Sequence, residues 1–125
     1  MANFSLDHCS VGVGHKPPFR RRIRYNGKYV TRADVASITY SVYRCVARDC
    51  GAPLAGHTNV ALAVADVVSD ELQAWEEDST GYNAEVKLTG ASPFTVWGSV
   101  YLVAVTYTMQ DGAIVGYGTA VRTPM

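Results

Sequence analysis

Apolar and polar residues alternate with a period of two along most of this chain, the pattern of strands that bury one face. The clearest stretch closes the sequence. Tyr101, Val103, Val105 and Tyr107 mark one face of a long strand, Asp111-Gly112 supplies a turn, and Ile114 to Val121 returns as its partner. Ser37 to Ala47 reads the same way, with Ile38, Tyr40 and Val42 alternating against Thr39, Ser41 and Tyr43 until Asp49-Cys50-Gly51-Ala52-Pro53 ends the run. Phe19, Arg21, Ile23 and Tyr25 alternate with Arg20, Arg22 and Arg24, which predicts a strand with one wet, basic face. Asn26-Gly27 then suits a type I′ turn, so Lys28 to Val30 folds back. Asn59 to Val64 and Tyr82 to Leu88 predict two further strands, and Gly116 with Gly118 predicts a bulge or a close backbone approach.

Two regions break the pattern. Ala65, Val68 and Leu72 fall at helical spacing, predicting a short helix over about residues 65–75, with Asp66 as its cap and Trp75 anchoring its end. Residues 1–18 carry little periodicity, and Gly12, Gly14, Pro17 and Pro18 interrupt any regular element. They read as an irregular N-terminal arm or a loosely paired edge. Short strands at regular spacing predict an all-β, immunoglobulin-like β-sandwich over residues 19–125, with a small barrel as the alternative. Gly98-Ser99-Val100-Tyr101, opening the long strand, is similar to the tyrosine corner of such folds.

Composition fits one folded domain. At 125 residues the chain can bury roughly 65–70 % of its unfolded surface, so a core needs no metal or disulfide. No apolar run approaches ~18 residues, so no membrane span is expected. Met1 to His8 lacks a basic start and an apolar core, which predicts no secretory signal and folding in a cytoplasm. Cys45 and Cys50 are close enough to pair, leaving Cys9 over, but that compartment favours free, partly buried thiols.

Charge is balanced overall and uneven along the chain. Residues 1–50 hold Lys16, Arg20, Arg21, Arg22, Arg24, Lys28, Arg32, Arg44 and Arg48 against Asp7, Asp34 and Asp49. Residues 51–125 hold Lys87 and Arg122 against Asp66, Asp70, Glu71, Glu76, Glu77, Asp78, Glu85 and Asp111. Such a split is met either by pairing within one molecule or by complementary faces on neighbouring copies.

No nucleophile-base pattern, phosphate loop or paired catalytic carboxylates stand out, so no enzyme and no cofactor are expected. Cys45 and Cys50 with His8, Cys9, His15 or His57 offer donors for zinc, but at irregular spacing, and the histidines read as surface residues. The Lys16 to Arg24 stretch, with Tyr25 and Tyr29 to stack bases, raises a nucleic-acid-binding β module as the alternative function. Against it stands a zero net charge. Protein docking is favoured, with Arg20, Arg22, Arg24, Asp70, Glu71, Glu76 and Glu77 as candidate contact residues beside the arm.

The stretch from Tyr25-Asn26-Gly27-Lys28 through Ala33-Asp34-Val35 to Ile38-Thr39-Tyr40 resembles the opening of small immunoglobulin-like proteins of phage and prophage structural regions. Val64 to Gln73 and Asp78 to Asn83 resemble the same pattern. The closing hairpin, from Tyr101 through Asp111-Gly112, is similar to the N-terminal domain of phage baseplate upper proteins. The segment from Cys45 to Gly56 and the arginine-rich strand depart from that pattern. The resemblance covers about residues 19–122 and implies a virion component of the baseplate, tail, neck or capsid surface. Such a protein is made in the host cytoplasm, is present as a homo-oligomer or in many copies, and has other virion proteins as its partners.

Overall fold

The computed structural model describes residues 3–46 and 49–124. They form an all-β sandwich. One sheet runs in the order β1 (Asn3–Ser10), β10 (Ile114–Arg122), β9 (Val100–Met109), β5 (Val35–Cys45), β6 (Val60–Leu62). Opposite it lie β2 (Phe19–Arg21), β8 (Tyr82–Val86) and β7 (Val68–Gln73), while β3 (Arg24–Tyr25) and β4 (Lys28–Tyr29) form a separate hairpin. Consecutive strands pair within a sheet, β5 with β6, β7 with β8 and β9 with β10, and the chain passes from one sheet to the other between these pairs.

The alternating residues face each other across the sandwich. Tyr40, Val42, Tyr101, Val103 and Val121 from the large sheet are buried against Val68, Ala84, Val86 and Phe94. The Phe94 ring meets Tyr101 edge-on at 5.3 Å and Phe19 at 6.3 Å. The Tyr101 hydroxyl accepts the backbone N–H groups of Thr95 at 3.3 Å and Val96 at 3.1 Å, so the expected tyrosine corner is formed.

The basic strand is shorter than its alternation suggested. It breaks after Arg21 and resumes at Arg24, and the buried side chain of Asn83 fills the break. Asn83 accepts the Ile23 N–H at 2.7 Å and donates to the carbonyls of Ile23 and Val30, each at 2.9 Å. One side chain thus replaces a stretch of missing ladder. The Asn26-Gly27 turn forms as expected, both residues at positive φ.

Other expectations are corrected. The helix is a single turn, α1 (Val64–Val67), and residues 68–73 are strand β7. The helical spacing arose because the buried pair Val67 and Val68 straddles a turn-to-strand junction. Asp66 lies inside that turn, and Ala63 holds the cap position without a side-chain bond. Trp75 packs edge-on against Tyr82 beyond β7, not at a helix end. Of the two readings of residues 1–18, the paired edge holds for the first half, as strand β1 running parallel to β10 from Asn3 opposite Val115 to Ser10 opposite Arg122. Its sequence hid this because the inner-face register position opposite Thr119 is held by an exposed Asp7, paired with Arg21 at 3.1 Å, instead of by an apolar residue. Through Gly116 and Gly118 the register of β10 is continuous, with no bulge.

The expected free thiols at Cys45 and Cys50 are instead bonded to each other, and Cys9 is the free cysteine. Compartment suggested free thiols, but local geometry favours the bond. Val46 and Asp49 exchange backbone hydrogen bonds at 2.8 and 2.9 Å, and this tight reversal sets the two cysteines opposite one another.

Candidate interaction surfaces

Three of the four arginines in the basic stretch, Arg20, Arg21 and Arg22, are paired with carboxylates within the molecule. Register places Arg20 opposite Glu85, and its guanidinium bonds that carboxylate at 2.7 Å while lying 5.0 Å over the Tyr82 ring. Arg21 turns inward, reaching Asp7 and the Gly118 carbonyl and lying 4.8 Å over Tyr117. Arg22 bonds Asp78 at 2.6 Å and the Gly81 carbonyl at 3.1 Å. Arg24 donates to Gly27 in its own hairpin and stacks over Tyr29. The Tyr25 hydroxyl donates to Asp111.

These contacts leave a titration signature. Arg20 holds the Glu85 carboxyl below its ordinary range. The Gly81 N–H, and then Arg22, do the same for Asp78. Two ion pairs, Arg20 with Glu85 and Arg22 with Asp78, thus join the basic half of the chain to the acidic half.

The acidic candidates are scattered. Asp70 accepts the Arg32 backbone N–H at 2.8 Å, and Glu71 is exposed on the edge strand β7. Glu76 and Glu77 lie after that strand, on the rim of a groove of about 480 Å³ whose walls include Asp7, His8, Phe19 and Trp75. Arg20 reaches this groove, whereas Arg24 and Asp70 do not line it. The seven candidates do not converge on one site.

The proposed zinc donors do not converge either. Cys45 and Cys50 are consumed by their bond. His57, expected at the surface, is buried between the Tyr40 hydroxyl at 3.0 Å and the Ala91 carbonyl at 2.9 Å. Burial, and then Asp7, push the Cys9 thiol up, which makes it a poor nucleophile at neutral pH.

A surface that the sequence reading passed over lies on the outer side of the large sheet. Register sets Leu6, Gly118, Ala104 and Ser41 in one cross-strand row, and His8, Ala120, Leu102 and Tyr43 in the next. Gly116, Thr106, Thr39 and Ala61 form a third row. Among the described residues, Arg122 at one end carries the face's only formal charge. Leu6 is 49 % exposed, Ile114 48 % and Val100 37 %, and all three belong to this face. A recess of about 490 Å³ opens on it beside His8, Val100, Ala120 and Arg122. The signal was present in the sequence: the residues between the buried ones in β5, β9 and β10 are Thr, Ser, Ala, Gly, Leu and Tyr. Solvated strand faces normally carry Lys or Glu.

No family model, curated protein or solved structure matches this chain. No helix among the described residues is long and apolar enough to cross a membrane.

Proposed function

We propose that the chain is a non-enzymatic virion structural protein, a component of a baseplate, tail, neck or capsid surface that works by assembly with other proteins. The observation that carries this reading is the outer face of the five-stranded sheet, free of formal charge except for Arg122 at one end, with Leu6, Val100 and Ile114 exposed on it. A broad face nearly without charge, rimmed by exposed apolar side chains, is costly to leave in water and suits contact with protein. The resemblance over residues 19–122 points to the class of particle. The Cys45–Cys50 bond suits a protein that meets an oxidising exterior.

The nucleic-acid reading loses its main support. Phosphates would have to displace Glu85 from Arg20 and Asp78 from Arg22. Electron microscopy and cosedimentation with particles made from the neighbouring genes test the proposal. Many copies per particle are expected, together with no steeply salt-dependent binding to single-stranded DNA. A strict monomer absent from particles would overturn it.

A further inference from the structure

We infer that a second copy of this chain covers the outer face of the five-stranded sheet, packing sheet against sheet about a two-fold axis. The inference rests on the assembly reading and names the partner for that surface. Three physical points lead to it.

The first is charge. A two-fold interface brings a patch against itself, so any formal charge near its centre meets its own copy. The rows through Ala104, Leu102 and Thr106 hold no formal charge, and Arg122 lies at one end. The opposite sheet, with Arg20, Glu85 and Lys87 beside one another, could not be buried against itself without stranding ions.

The second is area. β1, β10, β9 and β5 are 8, 9, 10 and 11 residues long. With strands about 4.8 Å apart and rising about 3.3 Å per residue, the face projects to roughly 600 Å². Its accessible surface is larger than that projection, which brings it close to the about 800 Å² per partner of a stable interface.

The third is shape. Gly116, Gly118, Ala104 and Ala120 leave a low centre, flanked by the larger Leu6, Leu102, Tyr43 and Ile114. Low centres with raised flanks let two sheets approach to the ordinary spacing of about 10 Å while their side chains interdigitate.

Sedimentation velocity of the intact chain over about 1 to 100 μM tests the inference. The wild type should pass from monomer to dimer in that range. Thr106→Glu should weaken association by about 100-fold or more, because like charges would be buried together. Arg22→Glu, in the break after β2 beside the other sheet, should leave it unchanged. Should Thr106→Glu fail to fold by circular dichroism, Ile114→Lys at the half-exposed rim should still weaken the dimer. A wild-type monomer at every concentration overturns the inference, as does a dimer that Arg22→Glu disrupts and the face variants spare. A monomer that still enters particles, and is excluded from them by Thr106→Glu, means that another virion protein covers the face. In that case the dimer fails and the assembly reading stands. A face-dependent dimer that never joins particles gives the reverse.

Discussion

The two sheets of this sandwich solve the same burial problem by different means. The five-stranded sheet has long strands in continuous register and presents an outer face nearly free of charge. The three-stranded sheet has short strands and irregular pairing between β7 and β8. It is completed by individual polar contacts: Asn83 across the break in the basic strand, Arg20 on Glu85, and Arg22 on Asp78. Where the ladder is long, the backbone supplies order and the outward side chains are released for contact with something else. Where it is short, the side chains are occupied in holding the sheet.

This contrast can be broken most severely in the small sheet and the core behind it. Phe94→Ala removes a fully buried ring between Phe19 and Tyr101 and should cost about 3–5 kcal/mol in chemical denaturation. Asn83→Ala strands the backbone groups of Ile23 and Val30 in the interior. A loss of about 3 kcal/mol is expected, with faster hydrogen exchange confined to residues 19–30 and β8. Gly81 sits at φ +108 where an added Cβ would strike the Gln73 carbonyl, so Gly81→Ala should cost at least about 2 kcal/mol. Tyr101→Phe keeps the ring and loses the corner hydrogen bonds, for about 1–2 kcal/mol by thermal melting.

The smallest expected effect is electrostatic. Asp78, Glu85 and Asp111 all have carboxyl pKa values lowered in the fold. A lowered carboxyl contributes stability that is present above its unfolded pKa and is lost as pH falls through the folded one. Melting temperature should therefore hold between about pH 7 and 5 and decline below about pH 4. Glu85→Gln should make that decline shallower. Because Asp78 and Asp111 are exposed and Glu85 keeps partial access to solvent, the change is modest and should shrink further in high salt.

How much was legible beforehand follows from the same contrast. β5, β9 and β10 could be read directly because each buries one face against the core, so Ile38, Tyr40 and Val42, or Tyr101, Val103 and Val105, stand out. Asn26-Gly27 and Asp111-Gly112 could be read because their backbone demands are local. The sequence of β7 mimics a helix because, as an edge strand with exposed Asp70 and Glu71, it shows no alternation. β1 was hidden because an inner-face register position is held by Asp7, paired with Arg21, a partner distant in sequence. The intramolecular partners of the candidate contact residues were hidden for a related reason. Exposed arginines look available in a sequence, and only the register of β2 on β8 reveals that Arg20 already faces Glu85. The uncharged face was legible in principle, as a missing charge in every solvent-facing position of β9, but it emerges only when β1, β10 and β5 are laid beside it.

The most direct test places the same carboxylate on the large sheet or beside the small one and follows incorporation into particles, with circular dichroism confirming the fold of each variant. Thr106→Glu on the large sheet should abolish incorporation, and Arg22→Glu beside the small sheet should leave it intact at a small cost in stability. Normal incorporation of Thr106→Glu, with loss for Arg22→Glu, would contradict the assignment of docking to the uncharged face.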